Sequence, residues 1–206
     1  VDRANLDYFG FRNEVNYYNL KNRSFKLVVM TGSDEVAGYN HKVTISKSLE
    51  SFLNQNSQGS IVYKVINLGM NGYSLSNELN VYLALVYDLK PEFVVSHGGW
   101  SSLVNSQNIP REFKHLGLFY HEDQVFWAQN LYGMSDVQRK KIFTFDKSDN
   151  ELVVSAHLKN IQKFKTIVES NNGNFIVGVQ GLDFKAVKNE KNRDGEKYEE
   201  AFHLLE

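Results

Sequence analysis

Ser33, Asp34 and Glu35 stand together in the run Leu27-Val-Val-Met-Thr-Gly-Ser-Asp-Glu35. A serine hydroxyl can attack an acyl carbon if a base takes its proton. A carboxylate beside it can hold a ligand hydroxyl or a cation, or simply cap a helix. Two other stretches carry groups of the same usefulness. Leu68-Gly69-Met-Asn71-Gly72-Tyr-Ser74 offers backbone N–H groups at glycines, where a ligand can come close, with the Asn71 amide beside them. His97-Gly98-Gly99-Trp100-Ser101-Ser102 offers an imidazole, an indole and hydroxyls. Together the three stretches hold hydroxyls, carboxylates, an imidazole and glycine backbone that a ligand can approach closely.

Each stretch directly follows a segment that reads as a buried strand. Leu27 to Met30 is an unbroken apolar run closed by Gly32, as a strand covered on both faces of a parallel sheet should be. Ile61 to Asn67 and Glu92 to Ser96 read the same way, and Phe175 to Gln180 reads as a fourth strand. Helical spacing fills the intervals at about 43–56, 76–89 and 152–170, with Val43, Ile45, Leu49, Phe52 and Leu53 on one face of the first. Ser76 and Asn77 are the cap residues expected for the second, and Pro91 follows its end. Strands alternating with helices predict an α/β fold with a doubly wound sheet. In such sheets the ligand site lies at the carboxyl ends of the strands, where the three stretches fall.

The remaining chain frames this unit. Residues 1–24 are polar and aromatic and read as an arm laid over the domain. Residues 104–150 follow no clean period and hold Phe119, Tyr120, Trp127 and Tyr132. They form an aromatic insertion over the site, either its own small core or a surface for a ligand or a protein partner. The whole of 1–206 reads as a single domain, and its 42% hydrophobic residues suffice for a core.

Composition excludes several classes of function. A net charge of −1 gives no electrostatic case for nucleic acid or an anionic membrane surface. No apolar run approaches the roughly 20 residues of a membrane span. The absence of cysteine removes disulfides and thiolate metal sites, and no cofactor or metal signature appears. The expected partner is a small-molecule or glycan ligand. The compartment stays open, because the chain starts on Val1 and carries no leader pattern.

The order and spacing of Gly10-Phe11-Arg12, Gly32-Ser33-Asp34, Asn67-Leu-Gly69-Met-Asn-Gly-Tyr-Ser74, Lys90 to Trp100 and Gln180 resemble the SGNH/GDSL hydrolase family over about residues 9–200. The resemblance implies a three-layer flavodoxin-like fold with strand order 2-1-3-4 and, in complete members, a fifth strand. It also implies esterase chemistry from a serine after the first strand, an oxyanion hole and a late Asp-x-x-His.

Carried over by position, Gly69 keeps the backbone oxyanion donor. Counting back four residues from Gly38 places Asp34, rather than Ser33, in the nucleophile position. The oxyanion asparagine falls on Ser101. No Asp precedes a His by three residues; Glu200-Ala-Phe-His203 is the nearest imitation, with His203 as the stand-in base. The expectation is that the chain ends before the fifth strand and the motif beyond it. The resemblance therefore implies either an SGNH-fold domain with degenerate catalytic residues that binds a ligand, or an esterase on carbohydrate or lipid esters using Ser33. In both, Ser33, Asp34, Gly69, Ser101 and His203 form the catalytic set, with Glu35, Asn71, His97, Gly99 and Trp100 around the ligand.

Overall fold

A computed structural model of the chain describes residues 6–13, 15, 17–38, 44–57, 59, 61–99 and 150–179, with backbone alone at Tyr18, Asp34, Glu35 and Asn150. Two compact units divide it: 1–98 with 162–178, and 99–161 with 179–206. The first unit holds the sheet. Its strands are β1 (Lys26–Gly32), β2 (Tyr63–Asn67), β3 (Phe93–Gly98) and β4 (Asn174–Val179). They form one parallel sheet in the order β2-β1-β3-β4, so β1 is interior, as the sequence predicts.

Register explains why the first strand carries no polar position between Lys26 and Thr31. Val28, Val65 and Phe93 share one level, and Val29, Ile66 and Val94 the next, on the opposite face. The first face, with Met30, packs on Leu49 and Leu53 of α2 (Ile45–Asn56). The second is covered by α3 (Leu75–Leu85) and by the C-terminal half of α4 (Asn150–Ser170). There Tyr82 packs on Phe164 at 5.3 Å between ring centres, and Phe164 on Phe175 at 4.8 Å. Leu27, Val29, Ile66 and Val94 have no exposed surface, and each such burial stabilises the fold by about 1.5–3 kcal/mol. Among the described residues, no helix is long and apolar enough to cross a membrane.

Several element details differ from the sequence expectations. Val43 lies outside the described residues, and α2 starts at Ile45 behind Thr44, whose Oγ1 accepts from the Lys47 N–H at 3.2 Å. Ile45 and Phe52 are 41% and 62% exposed rather than buried. The helix is turned so that Ser46, Glu50 and Asn54 also face inward. Glu50 accepts from Val65 N–H at 2.7 Å, and Asn54 bonds both backbone groups of Tyr63. These polar contacts satisfy the free edge of β2, which a purely apolar face could not do. At α3 the cap is Ser74 rather than Ser76; Asn77 reaches back to accept from the Ser74 N–H at 3.1 Å. That helix stops at Leu85, and a 3-10 turn (Tyr87–Leu89) leads to Lys90, left-handed at φ 50 before Pro91.

One titration should report on α4. Burial pushes His157 down to about 4, so the folded chain refuses a proton that the unfolded chain accepts below its ordinary value of 6.5. Stability should therefore fall as pH drops from about 6.5 towards 4, by about 2–3 kcal/mol in all. Urea unfolding across that window should show the slope in the native chain and lose that share of it in His157→Leu. An unchanged slope would mean that His157 is not the group responsible.

Candidate active site

At the carboxyl edge the chain leaves β1 at Gly32 and enters a single helical turn, α1 (Asp34–Ala37), that the sequence pattern did not reveal. Ser33 is buried at the residue before it, and its carbonyl accepts the first helical bond, from Ala37 N–H, at 2.9 Å. Asp34 and Glu35 occupy the first two positions of the turn. Gly32 must be glycine here. A side chain would meet the His97 carbonyl of the neighbouring strand and Val36 Cγ2 at 2.5 Å.

The loop after β2 lies directly on this turn. A Cβ on Gly69 would sit 2.6 Å from Ala37 N and from Val36 Cβ, and Met70 N–H donates to Gly32 O at 3.2 Å. Gly69 and the Ser33 turn are thus side by side, while Asn71 is exposed on the same loop. His97 stands level with Gly32 on β3. Its Cδ2 lies 2.8 Å from where a Gly178 Cβ would be. Its Nδ1 is buried without a hydrogen-bond partner among the described residues. Gly99 is buried, with φ 118. Trp100, Ser101, His203 and residues 104–149 of the insertion lie outside the described residues.

What holds the turn in place was not visible in the sequence. Asn67, at the end of β2, donates from Nδ2 to Val36 O at 2.7 Å and accepts the Gly69 N–H on Oδ1 at 2.8 Å. Arg12 donates to Ala37 O at 2.8 Å. The last carbonyls of α1, which a short helix leaves unpaired, are thereby satisfied by side chains. Asn13 in turn clasps the backbone of Asn67, giving Nδ2 to its carbonyl and taking its N–H, both at 2.7 Å. Asp7 accepts from Asn13 at 2.9 Å and from the Tyr17 hydroxyl at 2.8 Å. Burial, then this carboxylate, holds the Tyr17 phenol protonated far above its ordinary value. The arm is thus a continuous polar brace from Tyr17 to the Gly69 loop.

The second finding is Glu78. It is 2% exposed, and its Oε2 accepts the hydroxyls of Thr31 and Ser96, each at 2.7 Å. Those two residues face each other across β1 and β3, one step before Gly32 and His97. Glu78 thus ties together the strand ends that present the site loops. A signal was present: Leu75, Glu78 and Tyr82 form the buried stripe of α3, and a carboxylate on an apolar stripe calls for buried donors. Among the described residues no cluster of three or more His, Asp or Glu is placed to hold a metal ion.

Neither a protein-family profile nor a curated protein sequence matches this chain. Solved structures do resemble it. BT4096, a gut microbial diltiazem-metabolizing enzyme, aligns over 88% of this chain with a TM-score of 0.54 at 11% identity. This chain covers 33% of that protein. The acetyl xylan esterase AlAXEase aligns over 87% of this chain and 70% of its own length, at 12% identity and a TM-score of 0.48. A catalytic mutant of Axe2, an acetylxylan esterase from Geobacillus stearothermophilus, aligns over 82% and 81% at 15% identity and a TM-score of 0.39. At such identities the likeness concerns the fold alone. With its parallel sheet in the order β2-β1-β3-β4 flanked by helices, the chain has an α/β fold similar to that of BT4096.

Proposed function

We propose that this domain binds a small-molecule or glycan ligand at the carboxyl edge of its sheet and has impaired or no catalysis. The observation that supports this most is the state of Gly69. Its N–H, the oxyanion donor implied by the family resemblance, is already given to Asn67 Oδ1 at 2.8 Å. A donor so engaged must break that bond to serve a transition state, and losing one oxyanion donor costs about a hundredfold or more in rate. Asp34 in the ungapped nucleophile position weakens turnover further, since its charge repels a developing oxyanion. A second reading, an ester hydrolase using Ser33, draws on one feature: Ser33 sits between β1 and α1, beside the Gly69 loop.

Hydrolysis of p-nitrophenyl acetate by the native chain, Ser33→Ala and Asp34→Ala decides between the two. Rates at background in all three are expected. Turnover well above background that disappears in Ser33→Ala, with Asp34→Ala still active, would make this an esterase.

A further inference from the structure

A groove of about 580 Å³ lies between the N-terminal arm and the C-terminal end of α3. Its size suits a small ligand. Its lining includes none of the residues of the loops that carry Ser33 and Gly69, and its α3 side lies where that helix ends and the chain turns back towards β3. Three rings form one side. Tyr8 packs edge-on against Phe9 at 5.4 Å, and Phe9 against Tyr17 at 5.1 Å. Tyr8 is 95% exposed and Phe9 44%, so their faces are open to a ligand. Leu85 and Leu89 line the groove on the α3 side, together with Lys21 and Asp88.

The two charges define the occupant. Lys21 and Asp88 are both exposed, and neither has a hydrogen bond or ion pair among the described residues. An anionic ligand would be drawn to Lys21 and repelled by Asp88, and a cation the reverse. A neutral ligand with several hydroxyls satisfies both, since each hydroxyl can accept from the ammonium and donate to the carboxylate. The open aromatic faces require that the same ligand present an apolar C–H face. A sugar ring meets all of these conditions.

We propose that this groove is a second ligand site, taking a neutral sugar ring of a glycan independently of the carboxyl-edge site. The test is calorimetric titration with neutral tetraoses (xylo-, cello-, manno- and malto-), with tetragalacturonate as the anionic comparator. At least one neutral tetraose is expected to bind with a Kd of about a millimolar or below. Tyr8→Ala and Asp88→Ala should each weaken it about tenfold, while Lys165→Ala, on the exposed side of α4, leaves it unchanged. Tyr8 is too exposed for its removal to unfold the chain, and circular dichroism checks this. Absence of binding at about 10 mM of every neutral tetraose, or tighter binding of tetragalacturonate, would overturn the proposal. So would unaltered binding in Tyr8→Ala. Loss in Asn71→Ala with none in Tyr8→Ala would put the glycan at the carboxyl edge, overturning the groove while leaving the proposed function standing.

Discussion

Glu78→Ala is expected to lower the stability of the chain by about 3–5 kcal/mol, measured by urea unfolding. The side chain is fully enclosed, and its Oε2 is the common acceptor for Thr31 and Ser96 at 2.7 Å each. Truncation leaves both hydroxyls without that acceptor in a region that water does not reach, and each costs about 1–3 kcal/mol. A cavity adds to the loss, because the strands on either side are locked in register and cannot close over it. The companion experiment separates hydrogen bonding from volume. In Thr31→Val/Ser96→Ala/Glu78→Leu every polar member is replaced by an apolar one, and a large part of the stability should return. A triple variant no more stable than Glu78→Ala would show that the hydroxyl–carboxylate pairing is not the origin of the loss. Glu78→Gln, which keeps one acceptor oxygen, should fall between the native chain and the alanine variant.

The second large effect is expected at Gly69. Gly69→Ala would place a methyl group 2.6 Å from Ala37 N and from Val36 Cβ and Cγ1, well inside van der Waals contact. Where the obstacle is a flexible side-chain tip, such a group is accommodated by rotation. Here it is the backbone and β-branched core of α1, which Arg12 and Asn67 hold by its last two carbonyls. One of the two loops must therefore move, at a cost of about 3 kcal/mol. The same displacement pulls the Gly69 N–H away from Asn67 and shifts the turn that carries Ser33. Ligand binding at the carboxyl edge should weaken together with stability. Native-like stability in Gly69→Ala would show that the two loops are not in the contact described.

The sheet was legible because its determinants are local. An apolar run such as Leu27–Met30 can satisfy its side chains only when covered on both faces, and glycine-bearing turns mark where each strand must stop. The same reasoning located Ser33, Gly69 and His97 at strand ends, since strand and loop alternate along the chain. It failed on α2, where an apolar count favoured Phe52 but the helix turned to bring Glu50 and Asn54 to the open edge of β2. Helical periodicity sees hydrophobic contacts and is blind to the polar demands of a strand not yet placed beside it.

Local patterning along the chain was enough to specify the α/β class, the interior position of the first strand and the edge at which chemistry could occur. It did so because burial patterns and turn residues act over a few neighbours. How the candidate site is set follows from contacts that exist once the chain has folded. The Gly69 N–H is given to Asn67, Asn67 is clasped by Asn13 from 54 positions earlier, and Glu78 joins two strands from the helix between them. A buried amide or carboxylate takes whichever donors and acceptors the folded chain brings within about 3 Å, and that distance carries no trace in sequence separation.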